Sequence, residues 1–198
     1  MGFVLRIVYC LLVLSFGQFM RLSNGQRPYR NKIKVSNGGS WGSWGHREMC
    51  PFGTYATGFI LKVEEALGHG DDTALNGIAL LCSRPELGTL SYITVQSDVG
   101  SWGTWTQNIW CRGGVLKSFQ LLVEGWQGVG DDTAANNIRF RCSSEEIITG
   151  NGMSWGEWGR WSASCDGTAI CGIQTRVEPP QDPGDNTSLN DVQFYCCY

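Results

Sequence analysis

A single segment occurs three times along this chain, at a period of just over fifty residues. Such a chain is confined to architectures in which like units stack or close on one another. Ser40-Trp41-Gly42-Ser43-Trp44 returns as Ser101-Trp102-Gly103-Thr104-Trp105 and as Ser154-Trp155-Gly156-Glu157-Trp158. Val63-Glu64 returns as Val123-Glu124 and Val177-Glu178. Gly70-Asp71-Asp72-Thr73-Ala74 returns as Gly130-Asp131-Asp132-Thr133-Ala134 and, weakened, as Gly184-Asp185-Asn186-Thr187-Ser188. The blocks close on Cys82, Cys142 and Cys196. They span about 31–82, 91–142 and 146–197, with Ser83 to Leu90 and Ser143 to Glu146 as links.

Within each block apolar residues alternate with polar ones. Phe59, Leu61 and Val63 match Phe119, Leu121 and Val123, and then Ile173, Thr175 and Val177. The closing segments alternate as well: Ile78, Leu80, Cys82; Ile138, Phe140, Cys142; Val192, Phe194, Cys196. A period of two means half-buried strands with one inward face. Each block opens with a further short strand, around Ile33-Val35, Tyr92-Val95 and Ile147-Thr149, and the Trp-Gly-x-Trp segment supplies another. Four strands per block give roughly twelve, in three small sheets. One such sheet has a single apolar face and is unstable alone. Three facing a common axis bury all three faces, which makes an all-β triangular prism with pseudo-threefold symmetry. The repeated Trp pairs are expected near its core, because large aromatic side chains gain most from burial.

Residues 1–25 read as a signal peptide. Met1 to Arg6 carry one positive charge, and Ile7 to Phe16 form an apolar run too short to span a bilayer. Cleavage is placed after Gly25 in Ser23-Asn24-Gly25, with Ser15-Phe16-Gly17 as the second site and a retained anchor as the competing reading. Residues 26–198 then form one domain outside the cell. Loss of Arg6 and Arg21 leaves 13 basic against 18 acidic residues, a net charge of −5. That balance argues against nucleic acid or anionic membrane as the main partner. Cys10 leaves with the leader, and eight cysteines remain. Behind a signal peptide, an even count reads as disulfides rather than zinc, and no CxxC pair exists. Like places in the repeat pair Cys50 with Cys82, Cys111 with Cys142 and Cys165 with Cys196, which leaves Cys171 for Cys197. Cys196 and Cys197, adjacent on one strand, point to opposite faces.

The acidic sets are the feature that could carry chemistry: Glu64, Asp71 and Asp72; Glu124, Asp131 and Asp132; Glu178 and Asp185. A hairpin would bring each Glu near its Asp pair, and glycoside chemistry needs two carboxylates across a sugar. The competing reading is structural. Asp and Thr side chains bond backbone amides in turns, and three near-identical copies suit a turn rule better than one substrate cleft. Calcium is a third reading, without a recognised loop spacing; no metal or cofactor is expected. Gly38-Gly39-Ser40-Trp41-Gly42 and Gly152-Met153-Ser154-Trp155-Gly156 match G-x-S-x-G, but no helix follows to form the elbow that motif requires. His46 and His69 have no counterparts in the other blocks and read as surface residues. Trp110, Trp126 and Trp161 stand outside the repeated pairs, either packed or serving as a sugar platform. Asn186-Thr187-Ser188 is an N-glycosylation sequon.

The three-block grammar, together with Asn37-Gly38-Gly39, Tyr55-Ala56-Thr57-Gly58-Phe59 and the Gly-Asp-Asp-Thr-Ala turns, resembles the vitelline membrane outer layer protein I family over about residues 30 to 198. The resemblance implies the β-prism I fold and an extracellular place, as in the outer layer of the bird-egg vitelline membrane. It also implies coat or matrix glycoproteins, and glycans containing N-acetylglucosamine, as partners. A lysozyme-like transferase activity on chito-oligosaccharides is ascribed to the egg member. Asn186, Ser188 and the Pro179-Pro180 turn depart from the pattern. The reading that follows is a secreted structural or interaction protein of a coat or secretion. The alternative is a carbohydrate-active protein, transferase or lectin.

Overall fold

The computed structural model describes residues 26–65, 74–125, 135–180 and 187–198. The expected leader therefore lies outside the described residues, as do Asp71, Asp72, Asp131, Asp132, Asp185, Asn186, His69 and Trp126. Block one runs through β1 (Asn31–Lys34), β2 (Ser43–Trp44) and β3 (Glu48–Met49) into a long hairpin of β4 (Tyr55–Val63) and β5 (Leu75–Ser83). Block two has β6 (Ile93–Gln96), β7 (Thr104–Trp105), β8 (Ile109–Trp110) and the hairpin β9 (Leu116–Val123) and β10 (Ala135–Cys142). Block three has β11 (Ile147–Thr149), β12 (Glu157–Trp158) and the hairpin β13 (Ala169–Val177) and β14 (Leu189–Cys197). A 3-10 turn at Gly88–Leu90 sits in the first link.

Three antiparallel sheets result, with strand orders β6-β5-β4-β7, β11-β10-β9-β12 and β1-β14-β13-β2; β8 adds to β4 and β3 to β13. This is the expected β-prism, but sheet and repeat are out of phase. Each long hairpin is completed by the opening strands of the following block. The opening strands of block one complete the sheet of block three, with Ile33 opposite Phe194. The prism is thus closed by pairing its first strand with its last.

The inward faces meet on the axis. Phe59 lies opposite Leu80, Phe119 opposite Phe140, and Ile173 opposite Phe194, and all six side chains are fully buried. Ring centroids are 4.8 Å apart for Phe59 and Phe140, 4.8 Å for Phe119 and Phe194, and 5.2 Å for Phe140 and Phe194. Tilted and edge-on contacts of this kind add to the gain from burial. The Trp pairs do not share this core, contrary to the expectation from their size. Trp41 is 58% exposed and Trp102 50%; Trp44, Trp105 and Trp155 are also exposed. The cause is register. Trp44 pairs with Arg176, Trp105 with Lys62 and Trp158 with Leu122, all on the outer faces of their sheets.

Both ends of every hairpin are set by bulges. At one end Asn76, Asn136 and Asn190 are the extra residues, all buried. Their carbonyls accept the N–H of Gly100, Met153 and Gly39, each from the adjoining opening segment. At the other end the extra residues are Thr57, Lys117 and Cys171, whose carbonyls accept the N–H of Cys111, Cys165 and Cys50. Disulfides join Cys50–Cys82, Cys111–Cys142, Cys165–Cys196 and Cys171–Cys197. The first three lie in the central core. The fourth lies in a small outer cluster with Tyr195, Met49 and Tyr55. In block one the equivalent place holds a hydrogen bond between the Thr57 and Ser83 hydroxyls, 2.9 Å long.

Candidate functional site

Glu64, Glu124 and Glu178 directly follow the first strands of the three hairpins, one at each sheet, so the fold does not gather them into a single centre. Over each Val-Glu peptide lies the glycine of a Trp-Gly-x-Trp segment: Gly103 over Val63-Glu64, Gly156 over Val123-Glu124, Gly42 over Val177-Glu178. All three glycines have positive φ, and a Cβ on any of them would come within 2.4 Å of backbone. The two repeated motifs are therefore halves of one packing contact. Glu178 is buried and its carboxylate accepts the Thr187 hydroxyl, which in turn accepts from the Asn190 amide at 2.7 Å. The Glu64 and Glu178 amides donate to the carbonyls of Ala74 and Ser188, both in the left-handed region. In the described part of the third acidic set, the Glu178 carboxylate and backbone N–H both bond residues just before β14.

His46, Ser40, Ser154 and Trp110, also singled out in the sequence, line none of the clefts described below. His46 is exposed, with Nδ1 3.3 Å from an Asp98 oxygen. Ser40 and Ser154 lie in exposed loops that lead into strands. Trp110 is half-buried, edge-on to Tyr92. Among the described residues no group of three His, Cys, Asp or Glu is placed to hold a metal ion.

What breaks the threefold repeat is more informative. Ile33, Val95 and Ile148 are equivalent, facing Phe194, Leu80 and Phe140. Their neighbours differ: Lys32 and Lys34 correspond to Thr94 and Gln96, and to Ile147 and Thr149. Two and three residues after the second Trp of each motif, block three has Arg160-Trp161 where the others have His46-Arg47 and Gln107-Asn108. After the bulged asparagine, block three has Asp191 where the others have Gly77 and Asn137. These departures converge. Lys32, Lys34, Trp44, Arg160, Trp161 and Asp191 line one cleft of roughly 670 Å³ on the outer face of the β13–β14 sheet.

Asp191 is the acid of this cleft. Its Oδ1 accepts the Val192 N–H at 2.8 Å, and the loop at Gly38 packs directly on the carboxyl. Burial pushes its pKa up to about 6, although the Val192 N–H, Arg176 and Lys34 pull it back. Trp161 also borders a second cleft on the β9–β10 sheet, where the Arg141 guanidinium lies 4.9 Å from its ring. Beside it, Arg139 lies 4.4 Å from the Trp158 ring and donates to Gln120 at 2.7 Å. Sequence reasoning assigned no role to Asp191, Lys34 or Arg160. The available signal was their failure to match between blocks.

The family model of vitelline membrane outer layer protein I matches residues 31–198. A human protein named vitelline membrane outer layer protein 1 homolog is 48% identical over 189 residues, covering 94% of this chain and 93% of its own length. The mouse protein of the same name is 42% identical over 194 residues, covering 97% and 96%. Solved structures of similar shape include frutapin, a lectin from Artocarpus incisa, with a TM-score of 0.56 at 10% identity over 87% of this chain and 100% of that one. A mannose-specific jacalin-related lectin from Morus nigra, in complex with mannose, gives 0.55 at 13% identity over 89% and 99%. At such identities the lectins share the fold alone.

Proposed function

The chain belongs to the vitelline membrane outer layer protein I family, and from that premise we propose that it is a secreted interaction protein of an extracellular coat or secretion, one that holds glycan rather than turning it over. The four disulfides support an oxidising, extracellular place. The observation that carries the reading is the asymmetric cleft. It offers the indoles of Trp44 and Trp161 as platforms for sugar rings, with Gln193 and Asp191 as hydrogen-bonding groups at its wall. Hydrolysis or transfer at a sugar needs two carboxyl groups flanking the bond, and Asp191 is the one acid among the described residues lining this cleft. The test is incubation of the secreted chain with chito-oligosaccharides, with binding followed by calorimetry and chain length by mass spectrometry. Binding that weakens in Trp161→Ala, with chain lengths unchanged, is expected. New longer or shorter products would overturn the reading.

A second reading, turnover of such oligosaccharides, has one observation in its favour. Asp191 holds its proton to about pH 6, as a general acid must. Product formation abolished by Asp191→Asn would establish that reading in place of the first.

A further inference from the structure

We infer that the corner between the β13–β14 and β9–β10 sheets is a docking surface for a sulfated glycan chain. The inference rests on the glycan-holding reading above and names the class of glycan. The chain as a whole is acidic, with 18 acidic against 15 basic residues. Yet this corner is basic, and it is basic only where the repeat is broken. Lys32 and Lys34 project from the same face of β1, about 7 Å apart by strand geometry. Across the cleft stands Arg160. All three are exposed, and among the described residues none of the three has a hydrogen bond or ion pair. At the equivalent positions the other blocks have Thr94, Gln96, Ile147 and Thr149 in place of the lysines, and His46 and Gln107 in place of Arg160, so neither folding nor the prism's symmetry requires these charges.

The other basic groups nearby are arranged differently. Arg139 and Arg141 lie against the Trp158 and Trp161 rings, extending the cationic surface past Trp161 onto the next sheet. Arg176 donates to the Gly42 carbonyl, and Lys117 to the carbonyls of Cys165 and Thr168. These cations are partly spent on the fold. Among the described residues, the acids lining the two clefts are Asp191, Glu145, which lies 3.5 Å from Arg141, and Asp166. The cleft thus sets three exposed cations, of which Lys34 also acts on Asp191, beside the Trp44 and Trp161 indoles.

Each part selects for one part of the ligand. Exposed ammonium and guanidinium groups suit sulfate oxygens, the guanidinium by two parallel N–H donors. Indole faces suit the C–H faces of pyranose rings and offer little to a bare anion. A neutral oligosaccharide would leave the three cations unused. A nucleic acid would bring a continuous run of phosphates against a chain of net negative charge, which opposes it.

The experiment uses the secreted chain on surfaces bearing heparin dodecasaccharide, the same oligosaccharide desulfated, a DNA duplex and phosphatidylserine vesicles, at low and physiological salt. Heparin binding that weakens with salt is expected, with desulfated heparin at least tenfold weaker. Lys32→Gln/Lys34→Gln/Arg160→Gln should weaken heparin binding at least tenfold and Trp161→Ala severalfold, with unchanged melting temperatures. Arg84→Gln, exposed in the first link, should change nothing. Equal heparin binding by the triple variant overturns the inference, as does equal loss in Arg84→Gln. Equal binding of desulfated heparin, DNA or vesicles overturns it too, by removing the preference for sulfated sugar. A parallel titration with neutral chito-oligosaccharide separates the two claims. Neutral binding without heparin binding ends this inference alone, and loss of both ends the glycan reading with it.

Discussion

Asp191 keeps a carboxylate where block two has Asn137, and both side chains accept the next residue's N–H at 2.8 Å. The amide does the structural work without the charge. Because the folded state holds the Asp191 proton up to about pH 6 against an ordinary value of 3.8, protonation stabilises the fold. That contribution is fully present below about pH 3.8 and is lost as pH rises through 6. Asp191→Asn should therefore be more stable than the parent at pH 7 by about 1 kcal/mol, the full shift being discounted for partial solvent contact. The gap should close by pH 4; melting curves at both pH values check it, and a variant less stable at pH 7 would refute it. Two glycines make a second comparison. Gly103 has φ +78° and its Cβ would lie 2.4 Å from Val63 backbone, whereas Gly113 has φ +70° in open space. Gly113→Ala should cost about 1 kcal/mol, from conformation alone. Gly103→Ala should cost roughly 3 kcal/mol or more, since Val63 and Glu64 must move as well. Equal costs in urea denaturation would show that the contact is slack.

The hairpins were legible in the sequence because alternation reports which side of a strand meets the core, and Phe59, Phe119 and Phe194 stand where that pattern puts them. Which strands share a sheet was not legible. Near-identical blocks give the same pattern whether β6 returns to its own hairpin or pairs with β5 of the block before. The Trp side chains misled for a related reason. Size argues for burial, but the register of two-residue strands opposite Lys62, Leu122 and Arg176 turns the second Trp of each motif outward. The cleft escaped because its residues form no motif and stand out only by differing from their counterparts. The outer disulfide belongs to this scale too. Cys171–Cys197 replaces the Thr57–Ser83 hydrogen bond of block one, at a bulge already enclosed by Cys165–Cys196. Cys171→Thr/Cys197→Ser should cost about 1–2 kcal/mol, less than the chain-entropy value for an isolated loop. Cys165→Ala/Cys196→Ala should cost about 3 kcal/mol or more, because it also opens the core. Non-reducing denaturant melts decide it; the reverse ranking would show that the outer bridge is the main clasp.

At the scale of the molecule, no block owns a complete sheet, so no block should fold alone. A peptide spanning 31–82 with Cys50–Cys82 intact should show no cooperative melt by circular dichroism; a sigmoidal one would mean that the hairpin finds other cover for its apolar face. The two ends of the described domain are neighbours. Arg27 donates to the carbonyls of Thr54, at 2.6 Å, and Tyr198, at 3.4 Å, while β1 lies along β14. A variant with these ends joined and new ends opened at residue 87, in the exposed first link, should keep its melting temperature within a few degrees. The same closure sets an order of events at the ribosome. The first described strand to emerge is the partner of the last, so the ring cannot shut until β14 has left the ribosome. Until then β1 to β3 lack the β13–β14 hairpin that they complete. Two chains growing side by side could each lend those strands to the other and finish as an interlocked pair.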